Sequence, residues 1–461
     1  MWFFEVSAST CIKVRRIETG GWHVILSTGC TLPSCRMNRL LKYLVVGFST
    51  CLVVALLAGA ATTRSSSPED TYRHLAVYTE VLSRIKSDYV EEPDMKNVTL
   101  GALNGLLESI DPYASYLNAD QYKEYLKTKD QKKADVGLVL ARKFGYVGIV
   151  DSIPGSPADT AGLATGDVLE SINGVSTRDM PLAFGEMLLE GNTGSTVELG
   201  VLRFRKPEPQ KLTLTREMIH YPAVKSRMAQ DDVGVVQVSS LADGEVAQVS
   251  KQVLALQKQG AKRLVLDLRH CATGSPDQGV ELANLFLDKG LITYSEGQKV
   301  ARKNFDAAPT AAITHLPLAV IVNRGTAGGA EVAASALLED KRAEVVGERS
   351  YGDAATRKAI TMDDGSAVIL SVAKFYSPTG KSIQDNGVTP SVPQLETDST
   401  ADSDDDSGAA PKAKPAADDP LLNKAIEVVV KGKAEIAKDQ SKPDKRAQEP
   451  LAGPDDDSPQ N

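Results

Sequence analysis

The stretch "PLAVIVNRGTAGGAEVAASALLED", residues 317–340, contains an apolar run, then a loop of small residues, then apolar residues at helical spacing. This order predicts a buried strand, a turn and a helix. The same alternation continues through residues 217–390, where "VGVVQVSSL" and "RLVLDLR" are each followed by a helical pattern. Alternating strands and helices are typical of an α/β domain with a largely parallel sheet. Many hydrolases present a nucleophile on such a turn, but this turn offers Gly328 and Gly329.

Composition limits the classes of protein that the chain can represent. It has 461 residues, of which 42% are hydrophobic and 5% aromatic, and this length predicts two or three domains. The net charge is −8, but the stretch from Ser391 to the end carries 16 acidic and 9 basic residues and accounts for −7 of it. The rest is nearly neutral, which argues against a nucleic-acid partner. No Walker loop, HExxH or paired CxxC occurs, so the sequence predicts no cofactor and no metal.

The N-terminal part carries a targeting pattern that begins at Met37, and residues 1–36 look like an upstream extension. In residues 37–63, "MNRLLKYLVVGFSTCLVVALLAGAATT", Arg39 and Lys42 precede a long apolar run. This pattern is typical of a signal peptide or of an uncleaved membrane anchor, and both alternatives stay open. The basic residues predict that the body of the protein lies outside the cytoplasm, in the periplasm, either membrane-anchored or secreted.

Two further regions differ from the α/β part. Residues 72–130 place apolar side chains at helical spacing and predict a helical N-terminal domain. Residues 396–461 are rich in Asp, Ser, Pro, Lys and Ala, contain no aromatic residue and predict a disordered acidic tail. Within that tail, the stretch 419–430 has the pattern of one short amphipathic helix.

Residues 131–216 have short strand-like runs separated by turns, which predict a β domain. Their segment "GSPADTAGLATGDVLESING" (155–174) resembles a PDZ domain of the bacterial protease type. Such domains add an extended peptide to a strand edge and hold its terminal carboxylate on backbone amides. The resemblance implies that the peptide-binding segment comprises four residues: Val136, Gly137, Leu138 and Val139.

The wider chain resembles the carboxyl-terminal processing peptidases, also called tail-specific proteases, over residues 72–395. The resemblance depends on the order of several motifs, among them "DPYASYL" (111–117), "AEVVGERSYGD" (343–353) and "FYSPTGKSIQDNGVTP" (375–390). It implies a multidomain α/β (α+β) protein: a helical segment, a PDZ β domain, and a ClpP/crotonase-like α/β peptidase-type domain over 217–395.

The same resemblance implies where catalysis would occur. Members of this family cut with a serine, a lysine base and a glutamine. Their positions fall here on Gly328, Asp353 and Arg357, so none of the three side chains is kept. The family's oxyanion loop falls on "HCATG" (270–274), which keeps only Gly274.

Other side chains near these positions could in principle act instead. The candidates are three hydroxyls, an amine and a neighbouring His–Cys pair: Thr326, Ser335, Ser350, Lys358, His270 and Cys271. His270 and Cys271 are adjacent, and adjacent side chains in a strand usually point to opposite faces. We expect all six residues to fill loops and helix surfaces. We also expect Asp353 and Arg357 to form an ion pair with each other.

Three functional interpretations remain. The first is a pseudoprotease that binds protein C termini or unfolded polypeptides through its PDZ domain, with a catalytically intact protease as a further partner. The second is an active serine-type endopeptidase with relocated catalytic groups. The third is a structural partner in an envelope complex, in contact with the membrane if the segment at 37–63 is uncleaved.

Overall fold

In the computed structural model, the described residues form two compact units, which divide between Pro93 and Asp94. The described residues are 13–14, 24–25, 68–129, 131, 133–203, 208–242, 244–396 and 419–431. Within these ranges, no helix is both long and apolar enough to cross a bilayer. The targeting pattern predicted at 37–63 and most of the predicted tail lie outside the described residues.

The described residues of the first unit form a strand pair and a long helix. Strands β1 (Lys13–Val14) and β2 (Val24–Ile25) pair antiparallel, and helix α1 covers Pro68–Asp88. The helix repeats apolar side chains at helical spacing, yet Leu75 and Val81 remain exposed.

The second unit begins at Asp94, whose carboxylate caps helix α2 (Met95–Glu108) by accepting from two backbone N–H groups. Strand β3 (Ser115–Leu117) and helix α3 (Ala119–Thr128) follow. The helical domain expected over 72–130 is therefore divided, because α2, β3 and α3 belong to the same compact unit as everything after them.

A six-stranded antiparallel sheet forms the β domain, with strand order β4-β5-β6-β8-β9 and β7 paired to β6. Strand β4 is an edge strand, and its residues are buried except for half-buried Val139 and exposed Lys143. The strands are β4 (Leu138–Lys143), β5 (Tyr146–Ser152), β6 (Val168–Ile172), β7 (Val175–Ser176), β8 (Thr196–Leu202) and β9 (Gln210–Thr215). Helices α4 (Pro157–Thr160) and α5 (Leu182–Leu189) complete the domain.

The central sheet of the α/β part has the order β10-β11-β12-β15-β16-β19 and is parallel except for β10, which confirms the predicted largely parallel sheet. Its strands are β10 (Lys225–Met228), β11 (Val233–Gln237), β12 (Arg263–Asp267), β15 (Leu318–Val322), β16 (Ala343–Gly347) and β19 (Val392–Pro393). Helices α6 (Glu245–Lys258), α7 (Pro276–Asn284) and α8 (Gly329–Glu339) connect them.

Both faces of this sheet are buried, as its nearly continuous apolar strands require. Leu264 and Leu266 of β12 belong to the core shared with α6, α7 and α8, whereas Val265 between them belongs to the core on the opposite face. That opposite face is covered by helix α9 (Pro420–Lys431). Helix α9 buries six apolar side chains there: Leu421, Leu422, Ala425, Ile426, Val428 and Val429.

Asp419 caps α9 and also anchors it. Its carboxylate accepts from the backbone N–H of Leu422 at 3.0 Å and from both terminal nitrogens of Arg269 at 2.7 and 3.1 Å. Arg269 simultaneously donates to Asp267 at the end of β12. The helix expected within a disordered tail is thus part of the folded core.

A second, antiparallel sheet has the order β14-β13-β18-β17, with β3 also paired to β18. Its strands are β13 (Leu291–Gly297), β14 (Val300–Asp306), β17 (Ala355–Thr361) and β18 (Ala367–Tyr376). Strand β3 pairs with β18, and Tyr113, just before β3, packs in one core with Ala327 after β15 and Tyr351 after β16.

Candidate functional site

The turn between β15 and α8 places Gly328 at the N-terminus of α8, with φ of 64° and ψ of −128°. This is a backbone conformation that glycine adopts readily and other residues do not. A Cβ built on Gly328 would lie 3.2 Å from the carbonyl oxygen of Gly274 and 3.9 Å from that of Asp353. A side chain here would press closely on the Gly274 carbonyl oxygen and would also strain the backbone.

Glu331, one turn into α8, organises the loop that follows β16. Its fully buried carboxylate accepts from the backbone N–H groups of Gly352, Asp353 and Gly328 at 2.7, 2.8 and 3.1 Å, and from the hydroxyl of Ser350. Burial raises its pKa to about 7, although these hydrogen bonds oppose that rise. The sequence analysis did not identify this role of Glu331.

Asp353 and Arg357 form the ion pair that the sequence predicted. The guanidinium of Arg357 also stacks 3.8 Å from the ring centroid of Tyr113, and a bulge between Thr356 and Arg357 interrupts the pairing of β17 with β18. Burial raises the pKa of Asp353, and Arg357 opposes that rise. The two charges thus neutralise each other near Gly328.

The candidate hydroxyls and amine are all engaged in structure or distant. Thr326 is fully buried, and its Oγ1 donates to the carbonyl of Leu268 at 2.8 Å. Ser350 donates to Glu331 and accepts from the backbone N–H of Val388 at 2.7 Å. Of the two remaining candidates, Ser335 is buried in α8, about 10 Å along the helix axis from Gly328. Lys358 is exposed on β17.

His270 and Cys271 do not act together. Cys271 lies in the core, where burial raises the pKa of its thiol, so the thiolate is disfavoured. The His270 ring points the other way: its Nδ1 lies 3.0 Å from Asp151 Oδ1, and its Nε2 lies 3.0 Å from Asn323 Nδ2. Asn323 accepts backbone N–H groups through Oδ1, so its Nδ2 donates to Nε2, and Nδ1 of His270 carries the proton.

This arrangement links two domains. Asp151 belongs to β5 of the β domain, whereas His270 and Asn323 belong to loops of the α/β part. Burial lowers the pKa of His270, but the hydrogen bond and charge of Asp151 raise it, and the net shift is upward. Neither Asp151 nor Asn323 was identified from sequence, since nothing local marks a contact between residues so far apart in the chain.

The loop at 270–274 is shaped by Gly274, whose φ is 109°. A Cβ at this position would lie 2.5 Å from the Cβ of Leu241 and 2.6 Å from its carbonyl oxygen, so only glycine fits. The Gly274 carbonyl is the atom that faces position 328.

The segment 136–139 begins at the edge of β4. Val136 and Leu138 are buried in the core of the β domain, while Val139 is half-buried. Gly137 has φ of 82°, and a Cβ there would lie 2.3 Å from the Cβ of Ser156. The backbone N–H of Val136 donates to Oδ1 of Asp135 at 2.5 Å, a contact that the sequence analysis did not foresee.

No group of three or more His, Cys, Asp or Glu side chains in the part of the chain that the structure describes is arranged to hold a metal ion.

Comparison with known proteins identifies both domains. The family model described as Peptidase family S41 matches residues 232–394, and the PDZ domain model matches residues 148–203. The chain is 31% identical over 389 residues to the carboxy-terminal processing protease CtpA of Bacillus subtilis, covering 80% of this chain and 82% of that protein. The chain belongs to the carboxy-terminal processing proteases of peptidase family S41.

Other carboxy-terminal processing proteases show the same likeness. The relative from Bartonella bacilliformis is 28% identical over 363 residues, covering 77% of this chain and 82% of that protein. The solved structure of a photosystem II D1 C-terminal processing protease matches with a TM-score of 0.58 and 25% identity, covering 69% of this chain and 92% of that one. The predicted fold class, a multidomain α/β protein with a PDZ domain and a serine-peptidase-family domain, is confirmed.

Proposed function

We propose that this carboxy-terminal processing protease is a non-catalytic member of its family, which binds polypeptides through its PDZ domain and works outside the cytoplasm. The observation that carries the proposal is Gly328, which stands at the N-terminus of α8 where the family resemblance implies a serine. A residue without a side chain has no atom that can attack a carbonyl.

The surroundings of Gly328 support the same conclusion. The position implied for the lysine base is Asp353, whose carboxylate is paired with Arg357. The atom nearest to a side chain at 328 is the carbonyl oxygen of Gly274. A nucleophile and its base are two groups that serine-type acyl transfer needs, and the positions implied for both, Gly328 and Asp353, hold a different kind of group.

Peptide binding is supported by the PDZ domain, whose family model matches residues 148–203. Its β4 is an edge strand, so its outer backbone groups can pair with an added strand. Losing a nucleophile elsewhere in the chain does not alter that edge. Location outside the cytoplasm rests on the basic residues and apolar run at 37–63.

The direct test is hydrolysis of an unstructured protein by the purified full-length chain, with the Bacillus subtilis relative as a positive control. We expect cleavage at background level. Turnover above background that disappears in Thr326→Ala, Ser335→Ala or Cys271→Ala would overturn the proposal and favour an endopeptidase with relocated groups. Exposed Lys299→Ala serves as the matched control for those three variants.

A further inference from the structure

The amides that begin the PDZ binding segment already have an acceptor from the same chain. Oδ1 of Asp135 lies 2.5 Å from the backbone nitrogen of Val136. Burial raises the pKa of Asp135, and hydrogen bonding from the backbone N–H groups of Val136 and Gly137 opposes that rise. Backbone amides of this loop are the groups that a PDZ domain uses for the terminal carboxylate of a peptide.

The backbone on both sides of this carboxylate is fixed. Asp135 exchanges two hydrogen bonds with Glu217, each of 2.9 Å, and Gly191 donates to the carbonyl of Ala134 at 2.9 Å. On the other side, Ala158 donates to the carbonyl of Val136 at 2.9 Å. The backbone that carries the Asp135 side chain is therefore held in place by the fold of the domain.

We use the term PDZ groove for the space along the free edge of β4, beside α5. The end of this groove away from Asp135 is also occupied by the chain itself. The backbone N–H of Arg142, on the free edge of β4, donates to the carbonyl of Pro112 at 3.1 Å. Across the groove, the N–H of Ala183 on α5 donates to the hydroxyl of Ser115 at 3.2 Å. Between Leu138 and Arg142, an edge of about 13 Å remains. An added strand must therefore be short.

Charge at the amide end disfavours a second carboxylate. Burial raises the pKa of Glu190, which follows α5, and the negative charge of Asp135 raises it further, while Lys133 lies 3.7 Å away and lowers it. Burial also raises the pKa of Tyr221, and Asp135 adds to that shift. A terminal carboxylate of a ligand would enter beside Asp135 and would have to displace it from the amides.

We propose that Asp135 is a specificity-determining residue that occupies the terminal-carboxylate subsite, so that the groove takes short extended segments without a free carboxylate at that end. This inference rests on the proposed peptide-binding function of the PDZ domain. The ligand class is an internal stretch of an unfolded polypeptide, which adds a strand to β4 and leaves the groove before the amides at 136 and 137.

The test uses the full-length protein and two pools of short random peptides, identical except that one ends in a free carboxylate and the other in an amide. Retention of each pool on the immobilised protein is measured for the wild type, for Asp135→Asn and Asp135→Ala, and for Glu217→Gln. The last variant is a matched control, because it removes one exposed negative charge beside Asp135 without touching the loop amides.

We expect the wild type and Glu217→Gln to retain the amidated pool at least as well as the free-acid pool. Both Asp135 variants should retain the free-acid pool roughly tenfold better than the wild type does, which is the scale of one charge-assisted hydrogen bond. Preference of the wild type for the free-acid pool, or the same selectivity in all four proteins, would overturn the role of Asp135. Retention of neither pool by any variant would instead overturn the proposed peptide-binding function.

Discussion

Arg357 pairs with Asp353 and at the same time stacks on the ring of Tyr113. The guanidinium therefore joins the loop after β16 to the segment that precedes β3. Since the two side chains keep 30% and 20% of their surface exposed, the pair is only partly shielded from water. The pair gives each of these two opposite charges a partner.

Arg357→Met should lower the free energy of unfolding by about 1 kcal/mol, because it leaves the Asp353 carboxylate without its partner and removes the stack on Tyr113. Lys358→Met is the matched control, since Lys358 is exposed on the same strand. It should change stability by less than about 0.5 kcal/mol. Equal effects of the two variants in urea unfolding would contradict a structural role for the pair.

Gly328→Ser should remain inactive and should lower the free energy of unfolding by about 1 kcal/mol, because the φ of 64° disfavours any residue with a Cβ. Gly328→Ala should lower the free energy of unfolding by the same amount. Gly101 lies inside α2 with nothing within 4 Å of an added Cβ, so Gly101→Ala should instead stabilise the protein by about 0.5–1 kcal/mol. Hydrolysis gained by Gly328→Ser alone would show that a base is present after all.

The anchoring of α9 should weaken in acid. Burial raises the pKa of Asp419, but hydrogen bonds from Arg269 and Leu422 lower it, to below its ordinary 3.8 overall. A carboxyl whose pKa is lower in the folded state stabilises the fold above the unfolded pKa and loses that contribution as pH falls through the folded value. The contribution should therefore be complete at pH 6 and decline below about pH 4.

Asp419→Asn tests this directly. We expect it to be about 1–2 kcal/mol less stable than the wild type at pH 6, and we expect the gap to narrow toward pH 3. Asp288→Asn removes an exposed carboxylate elsewhere and should show no such gap. A gap of constant size across this range would mean that Asp419 acts only through its shape.

His270→Asn should loosen the junction between the PDZ domain and the α/β part, since the ring spans Asp151 and Asn323. The effect on global stability should stay below about 1 kcal/mol, because 46% of the His270 side chain is exposed. Faster amide hydrogen exchange around Asn323 is the sharper measurement. Exposed His315→Asn is the control, and the same exchange pattern in both variants would contradict the linking role.

Local pattern was enough to predict the parallel sheet, because runs such as Leu318–Val322 are apolar on both faces and are each followed by a helical repeat. The Asp353–Arg357 pair was also predictable, since its members are four residues apart. The Asp151–His270 contact joins residues 119 positions apart, and no local signal marks it. The contact of Asp135 with Val136 is local, but its effect on peptide binding depends on its position beside the edge of β4, which only the fold determines.

The packing of α9 shows what composition could not say about the predicted helix at residues 419–430. An amphipathic pattern shows that a helix has an apolar face, but it does not say which surface that face covers. Here the helix covers the sheet face made by β11, β12, β15 and β16. The valines and the isoleucine of that face lie about 75 to 190 residues before the helix in the chain. Only the assembled sheet shows which apolar surface the helix covers.

Helix α9 also marks a natural place to divide this protein into two fragments. It reaches the sheet through its own apolar face and the Asp419–Arg269 contact, and its only covalent link to β19 is the stretch 397–418. A synthetic peptide of residues 419–431 should therefore reassemble in trans with a chain that stops at 396. The dissociation constant of this peptide would measure the binding free energy of the helix without the effective concentration that the linking stretch 397–418 provides. A dye on the peptide would report assembly without altering the PDZ groove.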